Sequence, residues 1–147
     1  MTAVLLAKYH ATGNDFLVTS GTATSAAAGS NHALTPGEVV ALCDRHRGIG
    51  ADGVITLGPA DAATGADCTF ALRNADGGEA EMSGNGMRCL AAFAARQGIG
   101  TATELRVATA TGRRDVVLER DGQGVVVGAD VDMGRATFVP AQIPFDA

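Results

Sequence analysis

The 147-residue sequence contains no tryptophan, one tyrosine and five phenylalanines, although 46% of its residues are hydrophobic. Alanine and valine supply much of that hydrophobic share, so we expect a tightly packed core built from small side chains. The length suits one domain and is sufficient to bury such a core. Architectures larger than one domain would need a longer chain.

The chain also lacks a large cluster of basic residues, and its formal net charge is −5. The largest basic groups are Arg45-His46-Arg47 and Arg113-Arg114. Because binding a nucleic-acid backbone requires grouped cations, this distribution argues against a nucleic-acid partner. No apolar run approaches the length of a membrane span, so we expect no membrane partner. The apolar residues 1–7 lack a preceding basic region, which predicts a strand rather than a signal peptide.

Cysteine pairs and spaced histidines are missing too. The three cysteines, an odd number with no CxxC spacing, are Cys43, Cys68 and Cys89. They favour neither a disulfide framework nor a zinc site, and reduced thiols in a cytoplasmic protein are the simplest interpretation. The histidines, which have no ligand-like spacing, are His10, His32 and His46. We therefore expect no metal site.

Two familiar catalytic motifs are absent as well. The sequence has no GxxxxGK[ST] loop and no GxSxG motif, so neither a Walker-type phosphate site nor a nucleophile elbow has support. Composition alone does not exclude a Ser-His-Asp triad. Residues 48–53 match GxGxxG, but they follow a predicted helix and lead into a predicted strand, the reverse of the dinucleotide-binding order. We interpret that match as chance.

Glycine, by contrast, is abundant, with 20 residues, roughly double the usual share of about 7%. This favours a turn-rich fold with much sheet. Strands are predicted at residues 4–9, 16–19, 54–57, 69–74, 105–110, 115–119 and 125–132. A capping box at Thr35 and Glu38 predicts a helix over about 36–45. Residues 86–97 predict a second helix, apolar almost all round and therefore buried, while residues 20–32 are predicted to be a surface loop.

The order of these elements predicts the fold class. Turns at Gly112 and at residues 121–124 separate the last three strands, which favours antiparallel hairpins. A mostly antiparallel sheet curled around the central apolar helix accommodates all of the predicted elements. The sequence therefore predicts one α+β domain spanning residues 1–147.

The candidate site is the N-terminus of the buried helix, at Ser83-Gly84-Asn85-Gly86. Glycines leave backbone N–H groups unobstructed, and a helix N-terminus carries partial positive charge, so a small anion can bind there without a lysine. Ser83 lies near the N-cap position, and capping alone would explain it. Polar loops at Asn14-Asp15 and at residues 50–53 favour the functional interpretation, although each alone would be an ordinary turn.

Three motifs occur in a fixed order along the chain. They are HATGNDF at residues 10–16, DRHRGIGADG at 44–53, and NADG at 74–77 followed by GNGMR at 84–88. Together they resemble the diaminopimelate epimerase family over nearly the whole chain. The resemblance implies two similar α+β domains with the substrate in the cleft between them, of which this chain resembles the first. It also implies a cytoplasmic isomerase of lysine biosynthesis that uses neither pyridoxal phosphate nor a metal.

The resemblance assigns roles to individual residues. Asn14 and Asn74 look like contacts to the distal end of an amino-acid substrate, and Gly84 and Asn85 look like donors to its α-carboxylate. Gly53 falls where some members have a polar contact residue. In the family, one cysteine from each domain faces the substrate α-carbon, one thiolate removing the proton and the other thiol returning it.

Ser83 is the candidate catalytic residue, because it stands where the first of these cysteines is expected. An alcohol is a far weaker acid than a thiol, so Ser83 could donate a proton, bind the carboxylate or be activated by a neighbour. Cys89, inside the predicted helix, is expected to be a packing residue.

The sequence ends at residue 147, where the family's second domain would begin. The resemblance therefore implies one excised domain, a split enzyme whose second half is a separate chain, or a homodimer that rebuilds the cleft. Three functions stay open: half of an amino-acid epimerase, a non-catalytic amino-acid-binding module, and an assembly domain that docks a second protein.

Overall fold

The computed structural model describes residues 4–21, 34–139, 141 and 143. In chain order its elements are β1 (Ala7–Ala11), β2 (Asn14–Ser20), α1 (Pro36–Cys43), β3 (Gly53–Gly58), β4 (Cys68–Asn74), β5 (Glu79–Ala80), α2 (Gly84–Arg96), β6 (Glu104–Thr109), β7 (Gly112–Arg120) and β8 (Val126–Val131). Most of the predicted surface loop at 20–32, including His32, lies outside the described residues. Neither described helix is long and apolar enough to cross a membrane.

The strands form one curled mixed sheet with the order β1-β2-β3-β4-β6-β7-β8, and β5 pairs with β4. The predicted antiparallel hairpins of the last three strands are confirmed, because β7 pairs antiparallel with both β6 and β8. Two other pairings, β2 with β3 and β4 with β6, are parallel. The reason is the connection: α1 lies between β2 and β3, and β5 with α2 lies between β4 and β6. Parallel neighbours need a crossover of this kind, whereas a hairpin turn joins antiparallel strands.

The middle of the sheet is buried on both faces, because side chains two residues apart on a strand share a face. Phe16, Val18 and Ile55 pack with α2 in the larger core cluster. Leu17 and Val54, one residue out of phase, pack with α1 in a smaller cluster. The sheet therefore has an α2 face and an α1 face, which explains why β2 and β3 are apolar almost throughout.

Helix α1 begins as the sequence predicts and ends earlier. The Thr35 hydroxyl accepts from the backbone N–H of Glu38, and the Glu38 carboxylate accepts from the backbone N–H of Thr35, completing the capping box. The predicted end at residue 45 is wrong, because the helix stops at Cys43. The Asp44 carboxylate accepts from the N–H groups of His46 and Arg47, and this local turn competes with another helical turn.

Helix α2 carries the centre of the larger core. Its buried residues are Gly86, Met87, Cys89, Leu90, Ala91, Phe93 and Ala94, so the expected burial is confirmed. Gly98 has φ +73° after the helix end, as a left-handed C-terminal cap requires. The two-residue β5, which no sequence pattern predicts, returns the chain from β4 to the start of α2.

Candidate active site at the N-terminus of α2

Ser83 is the N-cap of α2. Its backbone is extended, with φ −146° and ψ 120°, and its hydroxyl oxygen accepts a hydrogen bond of 2.9 Å from the backbone N–H of Gly86. The Ser83 carbonyl accepts from the N–H of Met87 at 2.8 Å. The capping interpretation is therefore correct. Since an N-cap oxygen uses one lone pair as acceptor, the hydroxyl hydrogen of Ser83 stays available to donate.

The two glycines of this segment serve different purposes. A Cβ added at Gly86 would lie 3.1 Å from the Ser83 Cβ and 3.2 Å from the Ile55 Cδ1. Gly86 is thus required for the first turn of α2 to lie close against the sheet. A Cβ at Gly84 would meet only the Met133 side chain, with the sulfur at 3.8 Å and the terminal carbon at 4.0 Å, which is ordinary contact. Gly84 therefore leaves its backbone accessible rather than relieving a clash.

The first two helical residues, Gly84 and Asn85, present backbone donors. Such N–H groups have no carbonyl partner within a helix, and Ser83 satisfies only that of Gly86. Both residues are partly buried and border a cleft of about 490 Å³. Its lining residues are Ser83, Gly84, Asn85, Arg88, Ala129, Asp130, Val131 and Met133. The backbone donors carry the partial positive charge of the helix N-terminus, while the lining includes one cationic side chain, Arg88, and one anionic side chain, Asp130.

Asn14 and Asn74 lie on the α2 face at the same end of the sheet. Side chains at every second position of a strand share a face. Asn14 therefore shares a face with Phe16 and Val18, and Asn74 shares one with Phe70 and Leu72. All four of these apolar residues belong to the α2 core cluster. Phe16, Gly53 and Asn74 are register partners across three strands. The first turn of α2 lies against Ile55, two residues from Gly53, so the helix N-terminus faces this part of the sheet.

Hydrogen bonds join the loops that carry these residues. The Thr12 hydroxyl lies 3.2 Å from the Asn85 side-chain oxygen, which connects the β1–β2 turn to α2. The backbone N–H of Ala75 donates to the carbonyl of Asp52 at 3.0 Å, and that of Asp52 donates to the carbonyl of Asp15 at 2.8 Å. All four residues assigned to substrate binding by resemblance, and Ser83, therefore belong to one connected set of loops.

Gly53 has a packing role in this chain. A Cβ there would lie 2.6 Å from the backbone oxygen of Arg73 and 3.2 Å from the Leu72 Cδ1. The close approach of β3 to β4 thus requires glycine. A polar contact residue at this position would need the two strands to separate.

A charge network behind Asn14 was not predicted from the sequence. Arg45 donates to both carboxylate oxygens of Asp15, at 2.6 and 3.1 Å, and to Asp52 at 2.8 Å. Lys8 lies 3.1 Å from Asp15. Hydrogen bonding to Arg45 holds the pKa of Asp15 well below its ordinary value, and hydrogen bonding to Asp15 raises the pKa of Arg45.

The sequence contains one signal for this network: Arg45 lies between Asp15 and Asp52, each of which is in a polar turn motif. Residues 45–47 are exposed. Arg45 is nevertheless engaged with both carboxylates. The pairing joins residues 30 positions apart, which strand and helix patterns do not reveal.

None of the described cysteines is placed to act in this cleft. Burial raises the pKa of Cys68 to about 12 and that of Cys89 to about 11, and it also raises the pKa of Cys43. Cys89 lies in the α2 core cluster, so its interpretation as a packing residue is correct. Within residues 4–21 and 34–139, no group of His, Cys, Asp and Glu side chains could hold a metal ion.

The sequence matches a family of known proteins. The model of the diaminopimelate epimerase family matches residues 6–139. The chain belongs to the diaminopimelate epimerase family. It is 41% identical over 144 residues to diaminopimelate epimerase 1 of a Nostoc species, covering 97% of this chain and 47% of that protein. It is also 41% identical over 143 residues to diaminopimelate epimerase of Methanothermobacter thermautotrophicus, covering 97% and 48% respectively.

The chain spans about half the length of the curated diaminopimelate epimerases it matches. Solved structures show the same fold at low identity. A probable proline racemase from Agrobacterium radiobacter, solved with bound carbonate, has a TM-score of 0.63 at 18% identity and covers 88% of this chain and 41% of its own. A hydroxyproline epimerase from Agrobacterium vitis has a TM-score of 0.59 at 21% identity, covering 86% and 40%.

Proposed function

We propose that this chain forms one wall of the active site of a cofactor-independent amino-acid epimerase. The observation that supports the proposal is the N-terminus of α2, where Ser83 caps the helix and Gly84 and Asn85 border a cleft. The Thr12–Asn85 contact joins this helix end to the turn that precedes Asn14. Membership of the diaminopimelate epimerase family supports an amino-acid substrate with an α-carboxylate. A diamino acid such as diaminopimelate is the substrate that the family name suggests.

The α-carboxylate would bind at the N-terminus of α2. Two backbone N–H groups, the helix dipole and the neighbouring Arg88 all favour an anion there. The same donors would stabilise the negative charge that builds on the carboxylate when the α-proton leaves. Asn14 and Asn74, a little further along the sheet edge, would contact the distal end of the substrate.

Ser83 would act as a proton donor to the α-carbon rather than as a base, and the alkoxide left on its oxygen would take a proton back from solvent water. Its oxygen already accepts from the Gly86 N–H, which leaves its own hydrogen to donate. An alcohol supplies almost no anion at neutral pH, whereas a thiol with an ordinary pKa of about 8.5 can be tuned downward. The base would therefore come from the other wall of the cleft.

That other wall would be a second domain, a separate chain or a second copy of this chain. The matched relatives are about twice as long as this chain, which supports a second domain-sized partner. Apolar side chains after β8 also support a covered surface, because Met133 and Phe138 are 53% and 88% exposed. Exposed apolar groups next to a cleft are typical of surfaces that another protein or domain covers.

Exchange of the substrate α-proton with deuterated water tests the proposal. We would incubate meso-diaminopimelate with the chain alone, at high chain concentration, and with the second half of the 41%-identical Nostoc relative. Deuterium incorporation that requires the second half supports a shared active site, and incorporation by the chain alone at high concentration supports a homodimer. No exchange under any condition contradicts the proposed activity.

A second function, amino-acid binding without turnover, is favoured by the capping bond of Ser83. That bond fully accounts for a serine at this position, and no thiol among the described residues can replace it at the helix N-terminus. Calorimetric binding of meso- or LL-diaminopimelate, with no proton exchange, would favour this function over the epimerase.

A further inference from the structure

The side-chain amide of Asn14 has a fixed direction. Its nitrogen lies 2.6 Å from the Asp52 Oδ2. A carboxylate can only accept hydrogen bonds, so the NH₂ group, and not the carbonyl oxygen, must face Asp52. The Asn14 oxygen is consequently turned away from Asp52.

Asp52 is itself held by three groups. Its Oδ1 accepts from Arg45 at 2.8 Å, and its Oδ2 accepts from the backbone N–H of Asp15 at 3.1 Å as well as from Asn14. Arg45 is anchored in turn by two hydrogen bonds to Asp15. A carboxylate with this many donors cannot rotate without breaking several charge-assisted bonds.

The Asn14 oxygen is an unused acceptor, two residues along the chain from Thr12, whose hydroxyl contacts Asn85 at the candidate site. Asn14 is partly buried, shares the α2 face with Phe16, and accepts no side-chain hydrogen bond from any described residue. Such an oxygen pairs with a donor and repels a carboxylate. An ammonium group is the charged donor that an amino acid offers.

We propose that Asp52 is a positioning residue that fixes the direction of the Asn14 amide, so that the Asn14 oxygen selects a ligand carrying an ammonium group at this subsite. The inference deepens the proposed function and depends on it for the identity of the ligand. The direction of the amide depends only on the contacts of Asn14 and Asp52. Arg45 and Asp15 contribute by holding Asp52.

The test compares two probes that differ in one group. Meso-diaminopimelate has a distal ammonium, and L-2-aminopimelate lacks it. We expect this chain, paired with the Nostoc second half, to bind the first probe about 10- to 150-fold more tightly, which is the range that a hydrogen bond to a charged group contributes. Asp52→Asn should remove most of this preference, because an amide at position 52 can accept or donate and no longer fixes Asn14. The loss should be in Kd or KM and not in kcat.

Two further variants separate positioning from a structural role. Asp67→Asn is the matched control: Asp67 pairs with Arg106 at 2.7 Å and lies just before β4, at the end opposite Asn74, so its loss should leave the preference unchanged. In the double variant Asn14→Asp with Asp52→Asn, the amide at position 52 donates to the carboxylate at position 14. The second oxygen of that carboxylate is then left as an acceptor for the ligand. The preference for the ammonium probe should return.

Each outcome decides the matter. An unchanged preference in a folded Asp52→Asn protein, or no recovery in the double variant, overturns the proposal. If neither probe binds the wild type, the proposed function fails, and the Asn14 side-chain amide signals in ¹⁵N nuclear magnetic resonance still test the positioning. Signals that Asp52→Asn leaves unchanged overturn it, and signals that move with Asp52→Asn but not with Asp67→Asn support it.

Discussion

A cysteine in place of Ser83 should become an unusually acidic thiol. The Gly86 N–H, 2.9 Å from the present oxygen, would donate to the thiolate, and a hydrogen bond to a charged group contributes about 1.5–3 kcal/mol. The α2 dipole adds about 0.3–1 kcal/mol. Since a shift of one pKa unit corresponds to about 1.36 kcal/mol, the pKa of the new thiol should lie about 1.3–3 units below the ordinary value of about 8.5.

The rate of alkylation by iodoacetamide as a function of pH measures this pKa directly. The native cysteines will not interfere, because burial raises the pKa of all three. Gln123→Cys, in the exposed β7–β8 turn, provides a thiol far from any helix N-terminus and should titrate near the ordinary value. A Ser83→Cys thiol that titrates at or above the Gln123→Cys control refutes the electrostatic reasoning.

Three other perturbations test the packing and the charge network. Gly86→Ala should lower the free energy of unfolding by about 1–3 kcal/mol through overpacking, whereas Gly84→Ala, which meets no close atom, should cost less; equal losses in urea denaturation would contradict the distinction. Leu90→Ala, which truncates a side chain with 0% exposure, should cost about 2–5 kcal/mol by the same assay. Asp15 has a folded-state pKa below its ordinary value of 3.8. Its contribution to the free energy of unfolding is therefore fully present above about pH 4 and is lost as the pH falls further. Asp15→Asn should accordingly flatten the loss of stability below pH 4, and an unchanged acid dependence would show that the network contributes nothing.

Local patterns predicted most of the elements and the centre of the site. The capping box at Thr35 and the apolar run of α2 each depend on residues close in sequence, and each is confirmed. The same is true of Ser83 as the N-cap. These features follow from backbone chemistry within one or two turns of chain.

The parallel pairings and the charge network could not be predicted in that way. Whether β2 pairs with β3 in parallel depends on how α1 crosses the sheet, and apolar strands of this kind carry no mark of direction. Arg45 reaches Asp15 only after β2 and α1 have packed on the same face. The direction of the Asn14 amide depends on that tertiary contact, so a motif can identify the asparagine but not the atom it presents.

The backbone amide signals of Gly84 and Asn85 in ¹⁵N nuclear magnetic resonance test the central claim most directly. Meso-diaminopimelate would be titrated into the chain paired with the Nostoc second half, and the same buffer without diaminopimelate would be the reference. If the α-carboxylate binds at the N-terminus of α2, these two amide protons should move downfield together and saturably, and they should do so in Ser83→Ala as well. Binding that leaves both signals in place, or that moves only residues around Lys8 and Arg45, would contradict an α-carboxylate site at this helix.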